Sequence, residues 1–132
     1  MVKIDATYDG NLRCTATHTK SGATLLTDAP TDNNGKGESF SPTDLLATSM
    51  LSCVMTIIAI RAEKRGIDVN GMKGSVKKHM AANPRRISKL EVSISLPSGL
   101  DIKDRAWLIS EGCNCPVCFS VSETMEVDIN FD

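Results

Sequence analysis

The chain opens on alternation. In "KIDATY" and "LRCTATH" apolar and polar positions trade places residue by residue, with "DGN" between them, which predicts a β-hairpin; "ATLLTD" after "KSG" predicts a third strand. "APTDNNGKGESF" is rich in Gly, Asn and Asp and predicts a loop. The period then changes. "SPTDLLATSMLSCVMTIIAI", residues 41–60, predicts a helix with Ser41 as N-cap, Pro42 at the first helical position and Asp44 three residues after the cap. Its pattern runs to about Arg65, with Gly66 as the stop. Beyond it, "IDVNGMKGSVKKHM" and "ISKLEVSISLP" read as strands joined by "AANPRR". Leu90, Val92, Ile94 and Leu96 alternate with Glu91, Ser93 and Ser95, so one face of that strand is expected in a core and the other in water. A second helix is expected from a cap at Asp101 to Gly112, a helical turn from Pro116, and a closing strand "MEVDINF". Strands on both sides of a central helix, without βαβ regularity or an internal repeat, predict a single α+β domain over residues 1–132.

Composition narrows the function classes. With 41% hydrophobic and 23% charged residues, the 132-residue chain has the make-up of a globular domain. A net charge of −1 and 4% aromatics offer no electrostatic footprint or stacking platform for nucleic acid. Leu45 to Ile60 is an apolar run of 16 residues interrupted by Thr48, Ser49, Ser52 and Thr56; a membrane span needs about 20, so a buried core helix is expected and no membrane. "MVKIDATYDG" lacks the apolar segment of a signal peptide, so a cytoplasmic location is expected. In that reducing setting five cysteines point to chemistry or metal rather than to a disulfide framework.

Cys53 lies mid-helix on a strip of small residues with Ser49 and Thr56, beside Thr48 and Ser52. Such a strip admits a close backbone approach or lines a small pocket, and a cysteine there is either an inert filler or a held thiol. It sits about 17 Å into the helix at 1.5 Å per residue, beyond the reach of the dipole, so a thiolate would need a cation from elsewhere. The second cluster is "CNCPVCFS", with Cys113, Cys115 and Cys118. Cys115 precedes the proline that opens the predicted turn, next to free backbone N–H groups, a position that favours a thiolate. Three readings stay open for the cluster: a Cys115-x-x-Cys118 dithiol, a metal site, or a thiol partner for Cys53. His18 and His79 flank strand patterns and are expected at the surface; Trp107 is expected to pack on the core side of its helix.

Taken in order, "SPTDLLATSMLSC" after a Gly-rich loop, "NPRRISKLEVSISLP", and "CPVCFSVSETMEVDINF" resemble the osmotically inducible protein C and organic hydroperoxide resistance family (OsmC/Ohr) over nearly the whole chain. The resemblance implies antiparallel sheets wrapped around central helices in an intertwined homodimer. It further implies a peroxidatic Cys53, a resolving Cys115, and Arg13 as the guanidinium that stabilises the thiolate. The reaction implied is reduction of organic hydroperoxides, regenerated by an external, lipoyl-type dithiol and needing no cofactor. The peroxidase branches carry a glutamate ten residues before the reactive cysteine, where it holds the arginine. Here Thr43 stands in its place, with Asp44 next to it, shorter and turned about 100° around the helix. Cys118 is a further candidate resolving thiol. Thr43 also keeps a second reading open, a non-catalytic relative that binds an apolar ligand or senses thiol oxidation at a dimer interface.

Overall fold

The computed structural model describes residues 1–121, 123 and 125–132, and the chain falls into two compact units, residues 1–46 and 47–132.

In the first unit the alternating segments pair as expected. Strands β1 (Ile4–Gly10), β2 (Arg13–His18) and β3 (Thr24–Asp28) form an antiparallel meander in that order. The hairpin turns through Gly10, Asn11 and Leu12, all at positive φ (81°, 52° and 61°). The first of these is a glycine, for which that conformation carries no Cβ penalty. Registers such as Tyr8 opposite Cys14 and Ala16 opposite Ala6 and Leu25 gather Ile4, Ala6, Tyr8, Cys14, Ala16 and Leu25 on one face. This apolar face is not enclosed: Ile4 and Tyr8 are 64% exposed and Leu25 44%.

The helix α1 (Pro42–Lys64) starts on the predicted capping box. The Ser41 N–H donates to Asp44 Oδ2 (2.9 Å) and the Asp44 N–H donates to Ser41 Oγ (3.1 Å), satisfying two otherwise orphaned donors. Gly66, at φ +66°, ends it, and Ile67 N–H reaches back to the Ala62 carbonyl (3.0 Å). By length and composition α1 is apolar enough to cross a membrane, with mean hydropathy 1.8. The expectation of burial all round needs correction. Ala47, Met50, Val54, Ile58 and Ala62 form one buried stripe at helical spacing, while Ser52, Thr56 and Ile60 are exposed.

The second unit holds most of α1, the sheet β4 (Lys73–Ala81), β5 (Arg86–Ser95), β6 (Glu126–Phe131), and helices α2 (Ile102–Gly112) and α3 (Pro116–Val121). Residues 67–72 do not join the strand expected there. Asp68 Oδ1 takes the Asn70 N–H (2.8 Å) and a turn closes from Met72 N–H to the Val69 carbonyl (3.0 Å), a local competitor to a sheet ladder. Central β5 pairs antiparallel with β4 but parallel with β6, so the α+β class holds while this sheet is mixed rather than wholly antiparallel. Leu90, Val92, Ile94 and Leu96 are buried as alternation requires. Ile87, three residues before Leu90, is buried too, because Ser88 is an extra residue of β5 opposite the His79–Met80 step of β4 and resets the phase there. The helix reaches this sheet through β4: a Cβ at Gly74 would fall 2.8 Å from Leu51 Cδ1 and 3.0 Å from Met55 Sδ. The α1 end is tied to α2 by Arg61–Glu111 (2.8 Å) and by the Arg65 guanidinium 3.4 Å above the Trp107 ring, so half-buried Trp107 is a cation platform as well as a packing residue.

Two faces of one strand predict two outcomes. Leu90→Ala removes fully buried methyls and lowers the unfolding free energy by about 2–5 kcal/mol, whereas exposed Ser93→Ala stays within about 0.5 kcal/mol. Urea denaturation checks both; equal midpoints would contradict the assigned faces.

Candidate functional site

Cys53 is half-buried on the face of α1 that is not part of the buried stripe. With Ser49, Ser52, Thr56 and Ile57 of the same helix, and Pro116 and Val117 of α3, it lines an open pocket of about 350 Å³. The small-residue strip thus has the second of its two possible uses. It leaves room beside the thiol.

Helix α2 packs against α1 at Ile58. Its last residue, Gly112, packs so tightly that a Cβ there would lie 3.0 Å from both Ile58 Cδ1 and Phe131 Cζ. The segment that follows therefore turns under α1, and Cys115, fully buried, reaches Cys53. The Cys53 and Cys115 thiols are hydrogen-bonded to each other, and the Val117 N–H bonds Cys53. Cys115 in turn meets Cys118: the thiols are hydrogen-bonded and the Cys118 N–H donates to Cys115 Sγ (3.5 Å). Cys118 Sγ ends the row 3.2 Å from the Met50 thioether. All five cysteines are free thiols. Exposed Cys113 donates to the Ile109 carbonyl (3.8 Å), and Cys14 sits in β2 of the first unit. Among the described residues no group of three or more His, Cys, Asp or Glu side chains is arranged to hold a metal ion, so the metal reading of Cys113, Cys115 and Cys118 finds no ligand set.

Burial sets the electrostatics of the row. Desolvation is the first cause that pushes the Cys53 thiol up, the hydrogen bond to Cys115 adds to it, and the Val117 N–H opposes both. Cys115 and Cys118 are pushed up as well, again by desolvation first. The expected thiolate at Cys115 does not follow from its backbone neighbours: the Cys118 N–H favours it, but burial outweighs one long hydrogen bond. Burial thus favours the protonated forms of Cys53, Cys115 and Cys118.

The arginine lies in the first unit, at the start of β2. Arg13 Nη2 bonds Asp28 Oδ2 (3.3 Å) and also meets Glu38. Asp28, 1% exposed at the end of β3, is held ionised first by the Glu38 N–H (2.9 Å) and then by the Arg13 charge, against its desolvation. The same carboxylates raise Arg13 further, the Glu38 bond first. These two acids escaped the reading of the sequence, which looked for the arginine's anchor in the helix at Thr43 or Asp44. Asp44 closes the capping box, and Thr43 Oγ1 meets Ser41 Oγ (3.2 Å). The available signal was strand pairing: Arg13 stands opposite Asp28 in the β2–β3 register.

The sequence profile described as OsmC-like protein matches residues 35–130. The chain belongs to the OsmC-like family. Among solved structures, a protein from Psychrobacter arcticus 273-4 described as an osmotic stress induced and detoxification response protein is 42% identical with TM-score 0.93, covering 100% of this chain and 96% of that one. The organic hydroperoxide resistance protein OsmC of Legionella pneumophila shares the fold at 16% identity and TM-score 0.79, over 100% and 96% of the two chains. OhrB of Bacillus subtilis does so at 15% identity and TM-score 0.71, over 100% and 98%. No protein with a curated description matches the sequence.

The thiol contact generates a titration prediction. In Cys115→Ala the hydrogen bond, the neighbouring charge and part of the desolvation that raise Cys53 are all removed, so the Cys53 titration moves to lower pH. Iodoacetamide labelling of Cys53 against pH reads this. In the parent protein the rate is expected to keep rising above the ordinary thiol range, and an unshifted curve in the variant would contradict the contact.

Proposed function

We propose that the chain is a thiol peroxidase that reduces organic hydroperoxides, with Cys53 as the attacking thiol and Cys115 as the resolving one. The observation that carries this reading is the Cys53–Cys115 contact on the wall of an open pocket. A hydroperoxide ROOH entering the pocket is attacked at its distal oxygen by the Cys53 thiolate. The O–O bond breaks, ROH leaves with a proton, and Cys53 carries a sulfenic acid. The Cys115 thiol displaces hydroxide from that sulfur, giving a Cys53–Cys115 disulfide and water; an external dithiol, of lipoyl type by family resemblance, reduces it through a mixed disulfide. Because burial keeps Cys53 protonated at rest, the reaction needs a cation at the moment of attack. The proposal assigns that role to Arg13, whose anchors are Asp28 and Glu38 rather than the family's helix glutamate. The OsmC-like neighbours named for hydroperoxide resistance support the substrate class.

The proposal includes a homodimer. The uncovered apolar face of the β1–β2–β3 sheet, with Ile4, Tyr8 and Leu25 exposed, is the kind of surface a second copy covers. Sedimentation as a monomer at micromolar concentration would count against it.

A second reading is favoured by one observation, the raised titration of all three clustered thiols. It takes the pocket as a site for an apolar ligand, or Cys53 as a slow oxidation sensor. Steady-state consumption of cumene hydroperoxide with dihydrolipoamide separates the two. The peroxidase reading predicts turnover that rises with pH, is lost in Cys53→Ser, and falls about a hundredfold in kcat/KM in Arg13→Gln. Equal, slow consumption by the parent and Cys53→Ser would leave the binding or sensing reading.

A further inference from the structure

Cys118 has no task in a two-cysteine cycle, yet it is built into the same row. It is buried (8% exposed), and its N–H donates to Cys115 Sγ (3.5 Å). Helix geometry puts Cα atoms three residues apart at about 5 Å, within the Cα separation a disulfide spans. Cys118 also lines a second pocket of about 320 Å³, with Cys113, Phe119, Val127 and Ile129, which shares no lining residue with the pocket at Cys53. Cys115 meets a cysteine from each lining, Cys53 and Cys118.

We propose that Cys118 takes over the disulfide from Cys53 and presents it at this second pocket, so that hydroperoxide and reducing dithiol are served at different openings. The proposal rests on the peroxidase reading above for the first disulfide. The Cys118 sulfur attacks Cys115 Sγ; the Cys115–Cys118 bond forms as the Cys53–Cys115 bond breaks, and Cys53 leaves as the thiol. The proton given up by Cys118 ends on Cys53, and no electrons are gained or lost. Cys53 is free to meet a second hydroperoxide while an external dithiol entering at Cys113, Phe119 and Val127 reduces the Cys115–Cys118 disulfide. Hydrogen bonds already link Cys53 with Cys115 and Cys115 with Cys118, whose N–H donates to Cys115 Sγ (3.5 Å), and Met50 Sδ meets the far thiol (3.2 Å).

The test is time-resolved thiol mapping of the full chain. The reduced protein receives a single equivalent of cumene hydroperoxide, is quenched with acid and alkylated, and is digested at successive times. The expected sequence is a Cys53–Cys115 peptide first, then a Cys115–Cys118 peptide with Cys53 alkylated. In Cys118→Ser the first disulfide is expected to persist and turnover with dihydrolipoamide to slow several-fold. A wild-type protein that holds Cys53–Cys115 with Cys118 free at every time overturns the relay and leaves the peroxidase reading standing. Absence of any disulfide on Cys53 in both proteins overturns both. Diamide oxidation of Cys53→Ser gives an independent check: failure to form Cys115–Cys118 there also overturns the relay.

Discussion

The site depends on how closely α2 approaches α1. Gly112 has no Cβ, and any other residue there would meet Ile58 and Phe131 at 3.0 Å. That approach is what turns the "CNCPVC" segment beneath the helix and sets the Cys115 sulfur against Cys53. Gly74 has the same part on the sheet side, where Leu51 and Met55 fill the space a side chain would need. Between these two contacts α1 is gripped along Ala47, Met50, Val54, Ile58 and Ala62, and its strip of small residues is left facing the pocket. Packing density, not the helix dipole, positions the thiol.

The same packing has an electrostatic consequence. Thiols brought together in a desolvated row favour their protonated forms, and their mutual hydrogen bonds do not offset burial. Stability follows the sign of those shifts: the row's contribution is complete below the ordinary thiol pKa and fades as pH rises through the raised values. Asp28 behaves oppositely. Its carboxylate is held below the ordinary range, so its contribution is present at neutral pH and fades as acid protonates it. One unit of the chain thus carries a guanidinium fixed by two carboxylates, and the other a set of neutral thiols.

Much of this was legible in the sequence because it is local. The capping box at Ser41 and Asp44, the glycine stop at Gly66 and the N-cap at Asp101 each depend on residues a few positions apart, and all are present. The alternation from Leu90 to Leu96 named a buried face correctly. What escaped was set by distant parts of the chain. The bulge that buries Ile87 arises from the pairing of β5 with β4, and the parallel placement of β6 from the path through α2 and α3. The partners of Arg13 lie 15 and 25 residues away, one across a strand register and one in a loop with no periodicity. The segment 67–72 failed as a strand because Asp68 offers its backbone a nearer bond. At Cys53 local pattern left two readings open; the family resemblance and the contact with Cys115 favour the reactive one.

The central claim is that the Cys53 sulfur takes the oxygen and Cys115 resolves it. Cys115→Ser tests it most directly, treated with a single equivalent of cumene hydroperoxide in the presence of dimedone, a trap for sulfenic acids. The account predicts a dimedone adduct on Cys53 in this variant and little in the parent protein, where Cys115 reaches the sulfenic acid first. A Cys53 that stays unmodified in the variant, while hydroperoxide is left intact, would contradict it.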